Sequence, residues 1–171
     1  MDKIEELLND KATNLQRRAL TDTSYKNINH ALSDDTTNFE LATYGDAVLK
    51  LALCEIYLNK KKADNFGFKG KLTEWKKQYE SDEVLVRIVA KHYNLLNFLK
   101  YDEKGNGIPE EQKPRDYDHK GQDDNDRHKY IATAIEVCIA VVYIENGENE
   151  VLKIIEKWIQ WIDEEENSSN P

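Results

Sequence analysis

Two carboxylic acids lie inside stretches of the sequence that are otherwise apolar. Asp46 belongs to "TNFELATYGDAVLKLALCEIYLNK" and Glu136 to "HKYIATAIEVCIAVVYIENG". An uncompensated buried carboxylate costs several kcal/mol or shifts its pKa, so each acid needs a partner. If the two stretches pack together, both acids could bind one hard cation, because Mg²⁺ prefers a few carboxylates with water and phosphate oxygens.

Ion pairs within each stretch would explain the same two acids. Lys50 follows Asp46 by one helical turn, and Lys129 precedes Glu136 by two turns. Either lysine could neutralise its acid as a structural partner. Helical spacing does not decide between a cation site and structural ion pairs.

The elements that must position these acids are helices. Apolar residues recur at helical spacing, and no strand pattern, internal repeat or phosphate-cradling glycine loop is present. The predicted helices span residues 2–20, 38–58, 128–146 and 149–163, with two more in 72–101 that are separated near Ser81. Gly147 resembles a glycine C-cap, and the last helix should bury Leu152, Ile155, Ile159 and Ile162. We therefore predict an all-α fold.

Length and composition favour one domain without a membrane span. We interpret residues 1–165 of the 171 as the domain and 166–171 as a polar tail. No run approaches the roughly 20 apolar residues that a membrane span needs. The first ten residues, "MDKIEELLND", carry acids where a signal peptide has a basic start, so we expect a cytoplasmic protein.

Charge restricts how the chain could contact nucleic acid. A formal net charge of −9 argues against capture over the whole surface. The segment 60–77, "KKKADNFGFKGKLTEWKK", is locally basic and contains the candidate phosphate contacts Lys60, Lys61, Lys62, Lys69 and Lys71. A solvated loop and helix face is the alternative. Residues 102–127 form a predicted exposed loop, in which Asp123, Asp124 and Asp126 are an acidic cluster.

Four segments, in the right order, resemble the ribonuclease III family. "NFELATYGDAVL" resembles the family's signature helix, which typically reads Asn-Glu-Arg-Leu-Glu-Phe-Leu-Gly-Asp-Ala-Val-Leu. "ALTDTSYKN", "KGKLTEWKK" and "IATAIEVCIAVVYIENG" resemble three further family segments. The resemblance implies the ribonuclease III endonuclease-domain fold. It also implies a helical homodimer whose two sites cut double-stranded RNA, each with four acids that hold Mg²⁺.

Carried over residue by residue, the four acids of the family fall at positions 42, 46, 133 and 136. This chain has Ala42, Asp46, Thr133 and Glu136, so half of the expected carboxylates are absent. Glu40 is a poor substitute, because it lies about 240° around the helix axis from Asp46. In the basic segment, Lys69 and Lys71 stand where the family usually has glutamates.

The resemblance also bears on assembly. Thr43 replaces an aromatic residue that family members often insert into the partner subunit, which leaves a homodimer or a heterodimer with another subunit open. No double-stranded-RNA-binding domain is expected after the last helix.

Three functions follow from these observations. The first is a ribonuclease III-like module that binds double-stranded or structured RNA, with Mg²⁺-dependent cleavage weakened or lost. The second is an active, atypical endoribonuclease that uses Asp46 and Glu136 as ligands of Mg²⁺ or Mn²⁺. The third is a helical protein-interaction module without an RNA role.

Overall fold

The computed structural model describes residues 1–10, 13–61, 70–102 and 129–169. Within these ranges the secondary structure is helical, and one isolated β-bridge joins Thr21 to Lys100. The α-helices are α1 (Lys3–Asp10), α2 (Asn14–Ala19), α3 (Phe39–Lys61), α4 (Lys71–Glu80), α5 (Asp82–Val84), α6 (Lys129–Asn146) and α7 (Glu148–Ser169). A π-helical turn, Leu85–Ala90, continues α5, and 3₁₀ turns occupy Thr23–Asn27, Asp34–Thr36 and Leu95–Asn97. The prediction of an all-α fold is confirmed.

α6 is the central element of the core. Between Ile131 and Val142 every residue is buried except Thr133 and Glu136, as expected for a helix that is apolar on nearly all sides. α3 packs along α6, and α1, α2, α5, the π-helical turn and α7 cover other faces. Among the described helices, none is both long enough and apolar enough to cross a membrane.

α7 covers the core with one apolar stripe. Its buried residues recur three and four positions apart and are Val151, Ile154, Ile155, Trp158, Ile159 and Ile162. The predicted burial of Ile155, Ile159 and Ile162 is confirmed, whereas Leu152 is only partly buried against the core. α7 also continues past its predicted end at residue 163 to Ser169, since glutamate is a good helix former and the Ser168 hydroxyl donates to the Glu164 carbonyl oxygen at 2.8 Å.

The predicted single helix over residues 2–20 is wrong. α1 ends at Asp10 and α2 begins at Asn14, after a capping box in which Thr13 and Gln16 exchange side-chain hydrogen bonds with each other's backbone N–H. The predicted break at Ser81 is confirmed, because Ser81 has extended backbone and its hydroxyl accepts from the Val84 N–H. Most of the predicted loop over 102–127, including the cluster Asp123, Asp124 and Asp126, lies outside the described residues.

Helix α6 ends at a glycine, as predicted. Gly147 has φ +84°, a backbone conformation that favours glycine, and its N–H donates to the Tyr143 carbonyl oxygen at 2.9 Å. This turn lets α7 begin directly at Glu148 and fold back against α6 and α3.

A short segment, Leu20–Asp22, ties the start of α3 to a distant part of the chain. The Lys100 N–H donates to the Leu20 carbonyl and the Asp22 N–H donates to the Lys100 carbonyl, both at 2.8 Å. On its other edge, the Thr21 carbonyl accepts from the Asn38 N–H at 2.9 Å. These bonds fix the backbone just before α3 begins at Phe39.

Gly45 lies where α3 crosses α6. A Cβ atom added to Gly45 would lie 2.3 Å from the carbonyl oxygen of Glu136 and 2.6 Å from its carbonyl carbon. These are rigid backbone atoms, so a side chain does not fit unless the helices separate. The same close approach brings the residue after Gly45, Asp46, to the helix that carries Glu136.

Replacing Gly45 with alanine should therefore destabilise the protein. Helix propensity favours alanine by up to about 1 kcal/mol, but the overlap with α6 is an overpacking defect that costs about 1–3 kcal/mol or more. We expect a net loss of about 2 kcal/mol in the free energy of unfolding, measured by urea titration with circular dichroism.

Gly147→Ala is the matched control. Its added Cβ would have no atom within 4 Å, so the cost is the left-handed backbone alone, about 1 kcal/mol. A Gly45→Ala variant as stable as the wild type would contradict the close packing of α3 on α6.

Candidate active site

Asp46 and Glu136 approach each other across the crossing of α3 and α6. Glu136 is partly buried, and the negative charge of Asp46 acts on it directly. The structure thus brings together the two acids that the sequence singled out, from positions ninety residues apart. Their proximity depends on Gly45, which lets the two helix backbones touch.

Lys50 occupies the space beside the Asp46 carboxylate. Its Nζ donates to Asp46 Oδ2 at 2.6 Å, and both side chains are partly exposed. This hydrogen bond, together with the charges of Asp46, Glu80 and Glu136, raises the pKa of Lys50 above its usual value. The ion pair between Asp46 and Lys50 expected from their spacing is therefore present.

Glu136 is the most perturbed acid of the site. Burial, followed by the negative charges of Asp46 and Asp82, raises its pKa from 4.5 to about 7. The positive charges of Lys50 and Lys129 act in the opposite direction and limit the rise. Lys129 therefore influences Glu136 through its charge, but among the described residues no ion pair of 4 Å or less joins the two side chains, so the predicted pairing is not formed.

Asp82 is a third acid of the site, which the sequence reasoning missed. Burial raises its pKa, as does the negative charge of Asp46, whereas Lys129 and Lys50 lower it. Asp82 is the first residue of α5, directly after the Ser81 cap. An acid in the first turn of a helix is common, so the sequence did not indicate that Asp82 lies near Asp46 and Glu136.

Positions 42 and 133 face a cleft of about 740 Å³, and the residue at each position is uncharged. Ala42 and Thr133 both line this cleft, together with Lys129, Asp22 and Glu40. The Asp22 carboxylate accepts from the Ser24 N–H at 2.8 Å, and the Glu40 carboxylate pairs with Arg18 at 3.1 Å. The cleft's two acids are therefore engaged with other groups.

These donors do not fit a typical Mg²⁺ site. The Asp46 carboxylate is bound by an ammonium group, Glu136 is partly protonated at neutral pH, and Ala42 supplies no oxygen. Thr133 offers only a neutral hydroxyl, a weak ligand for a hard cation. In residues 1–10, 13–61, 70–102 and 129–169, no group of three or more histidine, cysteine, aspartate or glutamate side chains could hold a metal ion.

The predicted RNA-contacting lysines are described only in part. Lys60 is exposed near the end of α3, and Lys71 is exposed at the start of α4. Lys62, Lys69 and the side chain of Lys61 lie outside the described residues. A contact between these lysines and RNA stays a prediction.

Comparison with known proteins identifies the architecture. The family model of the ribonuclease III domain matches residues 40–147 of this chain. Two solved structures of the nuclease domain of ribonuclease III from Campylobacter jejuni have a similar fold, each with a TM-score of 0.63. One is 23% identical over 92% of both chains, and the other is 24% identical over 92% of this chain and 94% of that one. The second was described for structural flexibility in a region involved in dimer formation.

The raised pKa of Glu136 predicts a pH-dependent effect of Glu136→Gln on stability. Because its pKa is about 7 in the folded chain and 4.5 ordinarily, the folded state binds more protons between these values. Stability is therefore lost as the pH rises from about 4.5 to about 7, and glutamine avoids this loss. We expect the variant to be more stable than the wild type by about 1–3 kcal/mol at pH 8, with the advantage gone below pH 5.

Urea titrations at both pH values measure this difference. Glu83→Gln is the matched control, because Glu83 is exposed and pairs with Arg87 one helical turn further along the chain. An advantage of Glu136→Gln that is equal at pH 5 and pH 8 would contradict the assignment of the raised pKa.

Proposed function

Because this chain belongs to the ribonuclease III family, we propose that it is an RNA-binding module of that family whose Mg²⁺-dependent cleavage is weakened or lost. Its ligand is double-stranded or structured RNA, and it pairs with a second subunit, either another copy or a different chain. The observation that carries the proposal is the 2.6 Å ion pair between Lys50 Nζ and Asp46 Oδ2. A lysine there neutralises an acid that the family resemblance assigns to metal binding.

Charge balance supports weakened metal binding. Asp46, Asp82 and Glu136 carry at most three negative charges, and Lys50 and Lys129 offset two of them. A divalent cation would have to displace the Lys50 ammonium from Asp46 and would gain no carboxylate from positions 42 and 133. Metal ions in phosphodiester hydrolysis activate the attacking water and stabilise the leaving oxygen, which an ammonium group does not replace.

The same balance favours RNA binding without a metal. Four unpaired carboxylates repel a phosphodiester unless cations bridge the two, whereas this site already contains its own cations. Lys50 and Lys129 both reach the protein surface, and Lys129 lines the cleft at positions 42 and 133. An RNA backbone can therefore approach with less dependence on Mg²⁺.

An active, atypical nuclease is the second candidate. The observation in its favour is Asp82, which adds a third carboxylate to Asp46 and Glu136. Such an enzyme would hold Mg²⁺ or Mn²⁺ mostly through water, after Lys50 has left Asp46. A protein-interaction module without an RNA role is the third outcome that the experiments separate.

An exposed apolar stripe supports pairing with a second subunit. Tyr44, Ala47 and Leu51 follow each other at helical spacing on α3, and all three are exposed. Tyr44 contacts Tyr143 of α6 edge-on, with ring centroids 6.1 Å apart, and the next residue, Ile144, is also exposed. Contiguous apolar residues on a surface mark interaction sites.

Cleavage and retention assays on long double-stranded RNA test the proposal. The wild type should retain RNA in a gel shift with and without Mg²⁺, and neither Mg²⁺ nor Mn²⁺ should produce cleavage above that of Asp46→Asn or Glu136→Gln. Cleavage that is lost in both variants would establish the atypical nuclease. A wild type that neither cleaves nor retains RNA would leave only the interaction module.

Restoring the missing carboxylates tests the cause of the weakened metal site. We expect the double variant Ala42→Glu/Thr133→Asp to bind Mn²⁺ at least about tenfold more tightly than the wild type by calorimetry, because it returns two hard oxygen ligands. Asn59→Asp, which adds a carboxylate at an exposed position of the same helix that does not line this cleft, is the control. Equal Mn²⁺ affinities for wild type and double variant would show that positions 42 and 133 do not limit metal binding.

Replacing Leu51 with glutamate should weaken subunit pairing. Leu51 is 50% exposed in the chain by itself, so its burial in a dimer favours association and a buried charge opposes it. We expect sedimentation velocity to show a dissociation constant raised at least about tenfold. Ile28→Glu is the matched control, because Ile28 is similarly exposed but follows the 3₁₀ turn Thr23–Asn27 and belongs to neither α3 nor α6. Equal dissociation constants would exclude this face.

A further inference from the structure

A second cleft, of about 460 Å³, opens beside the segment Leu20–Asp22. Thr21 lines this cleft, whereas the next residue, Asp22, lines the cleft at positions 42 and 133. Successive residues of the segment thus line different clefts, so the segment separates the two clefts. Arg17, Arg18 and Lys100 line the second cleft, and we call it the basic cleft.

The charge of the basic cleft is opposite to that of the whole chain. Three cations line it against one acid, Asp35, although the net charge of the chain is −9. Elsewhere in the described ranges, several lysines pair with acids of their own helix, such as Lys76 with Glu80 and Lys153 with Glu150. A concentration of positive charge in an acidic protein is therefore a local feature of this cleft.

The cations of the basic cleft differ in what they already bind. Arg18 pairs with Glu40 at 3.1 Å and donates to the Thr37 carbonyl at 3.3 Å, which makes it part of the framework. Arg17 donates to the Asn14 amide oxygen at 2.6 Å, a neutral partner. Among the described residues, no acid lies within ion-pair distance of the Lys100 ammonium. Arg17 and Lys100 are both exposed, so an anion in solution can reach them.

The backbone that carries these cations is held in place. Lys100 is joined to Leu20 and Asp22 by two backbone hydrogen bonds of 2.8 Å, and the Thr21 hydroxyl donates to the Arg17 carbonyl at 2.8 Å. A ligand therefore meets groups whose backbone positions are already fixed, which lowers the entropy lost on binding.

We propose that the basic cleft binds a phosphodiester group of the RNA backbone. This rests on the proposed RNA binding and adds the place where the strand is held. A guanidinium and an ammonium group suit phosphate oxygens, and the hydroxyl group of Tyr25 lies beside them as a neutral polar group. The cleft is open, so it admits a strand that continues past it. Arg18 lines the basic cleft and its partner Glu40 lines the other, so the strand leads from here to positions 42 and 133.

Binding of a short RNA duplex to single variants tests this proposal. Arg17→Ala and Lys100→Ala should each weaken binding about threefold to tenfold in a filter assay, and each should reduce the slope of log affinity against log salt by about 1. Arg17→Lys should keep most of the affinity. Both side chains lie at the surface, and circular dichroism checks that the variants fold. Lys153→Ala is the matched control, because it removes the same charge from α7, which does not line the cleft.

Each outcome decides the proposal. Wild-type affinity and salt slope in both Arg17→Ala and Lys100→Ala would overturn it while leaving RNA binding by the module intact. A wild type that retains no RNA would overturn it together with the proposed function. In a competition assay, inorganic phosphate and a single-stranded oligonucleotide are compared at equal phosphate concentration. If both compete equally well, the cleft binds free anions, and the proposed binding of an RNA strand is overturned.

Discussion

The backbone contact between Gly45 and Glu136 is the constraint on which the rest of the structure depends. Two apolar helices touch so closely there that no Cβ atom fits between them. The contact buries the middle of α6, on which most of the other helices pack. It also sets the separation of Asp46 and Glu136. One backbone contact therefore affects both the packing of the core and the distance between the two acids.

Charge compensation within the site follows from this proximity. Acids on α3, α5 and α6 meet where the helices converge, and burial raises the pKa of Asp82 and of Glu136. Lys50 and Lys129 limit that rise for Glu136. Since both cations belong to the helices that carry the acids, the site supplies its own counter-charge. The basic cleft differs from this site, because three cations and one acid line it.

Local rules predicted the features that depend on neighbours in the chain. The helical spacing of Asp46 and Lys50 predicted their ion pair, and Gly147 and Ser81 predicted the ends of α6 and α4. The split at Thr13 was missed, although Thr13 and Gln16 carry a capping-box pattern, because the apolar spacing continues across it. Asp82 and the pairing of Lys100 with the Leu20–Asp22 segment could not be predicted, since both contacts arise from tertiary packing.

The burial pattern of α6 has a consequence for how such a domain can diverge. From Ile131 to Val142 only Thr133 and Glu136 are not buried, so substitutions elsewhere in this stretch disturb the core. Position 133 borders a cleft, where an acid can be exchanged for a neutral residue without repacking. Core packing therefore constrains ten of these twelve positions more strongly than it constrains Thr133 and Glu136. A chain can therefore keep this architecture while the residues at positions 133 and 136 change.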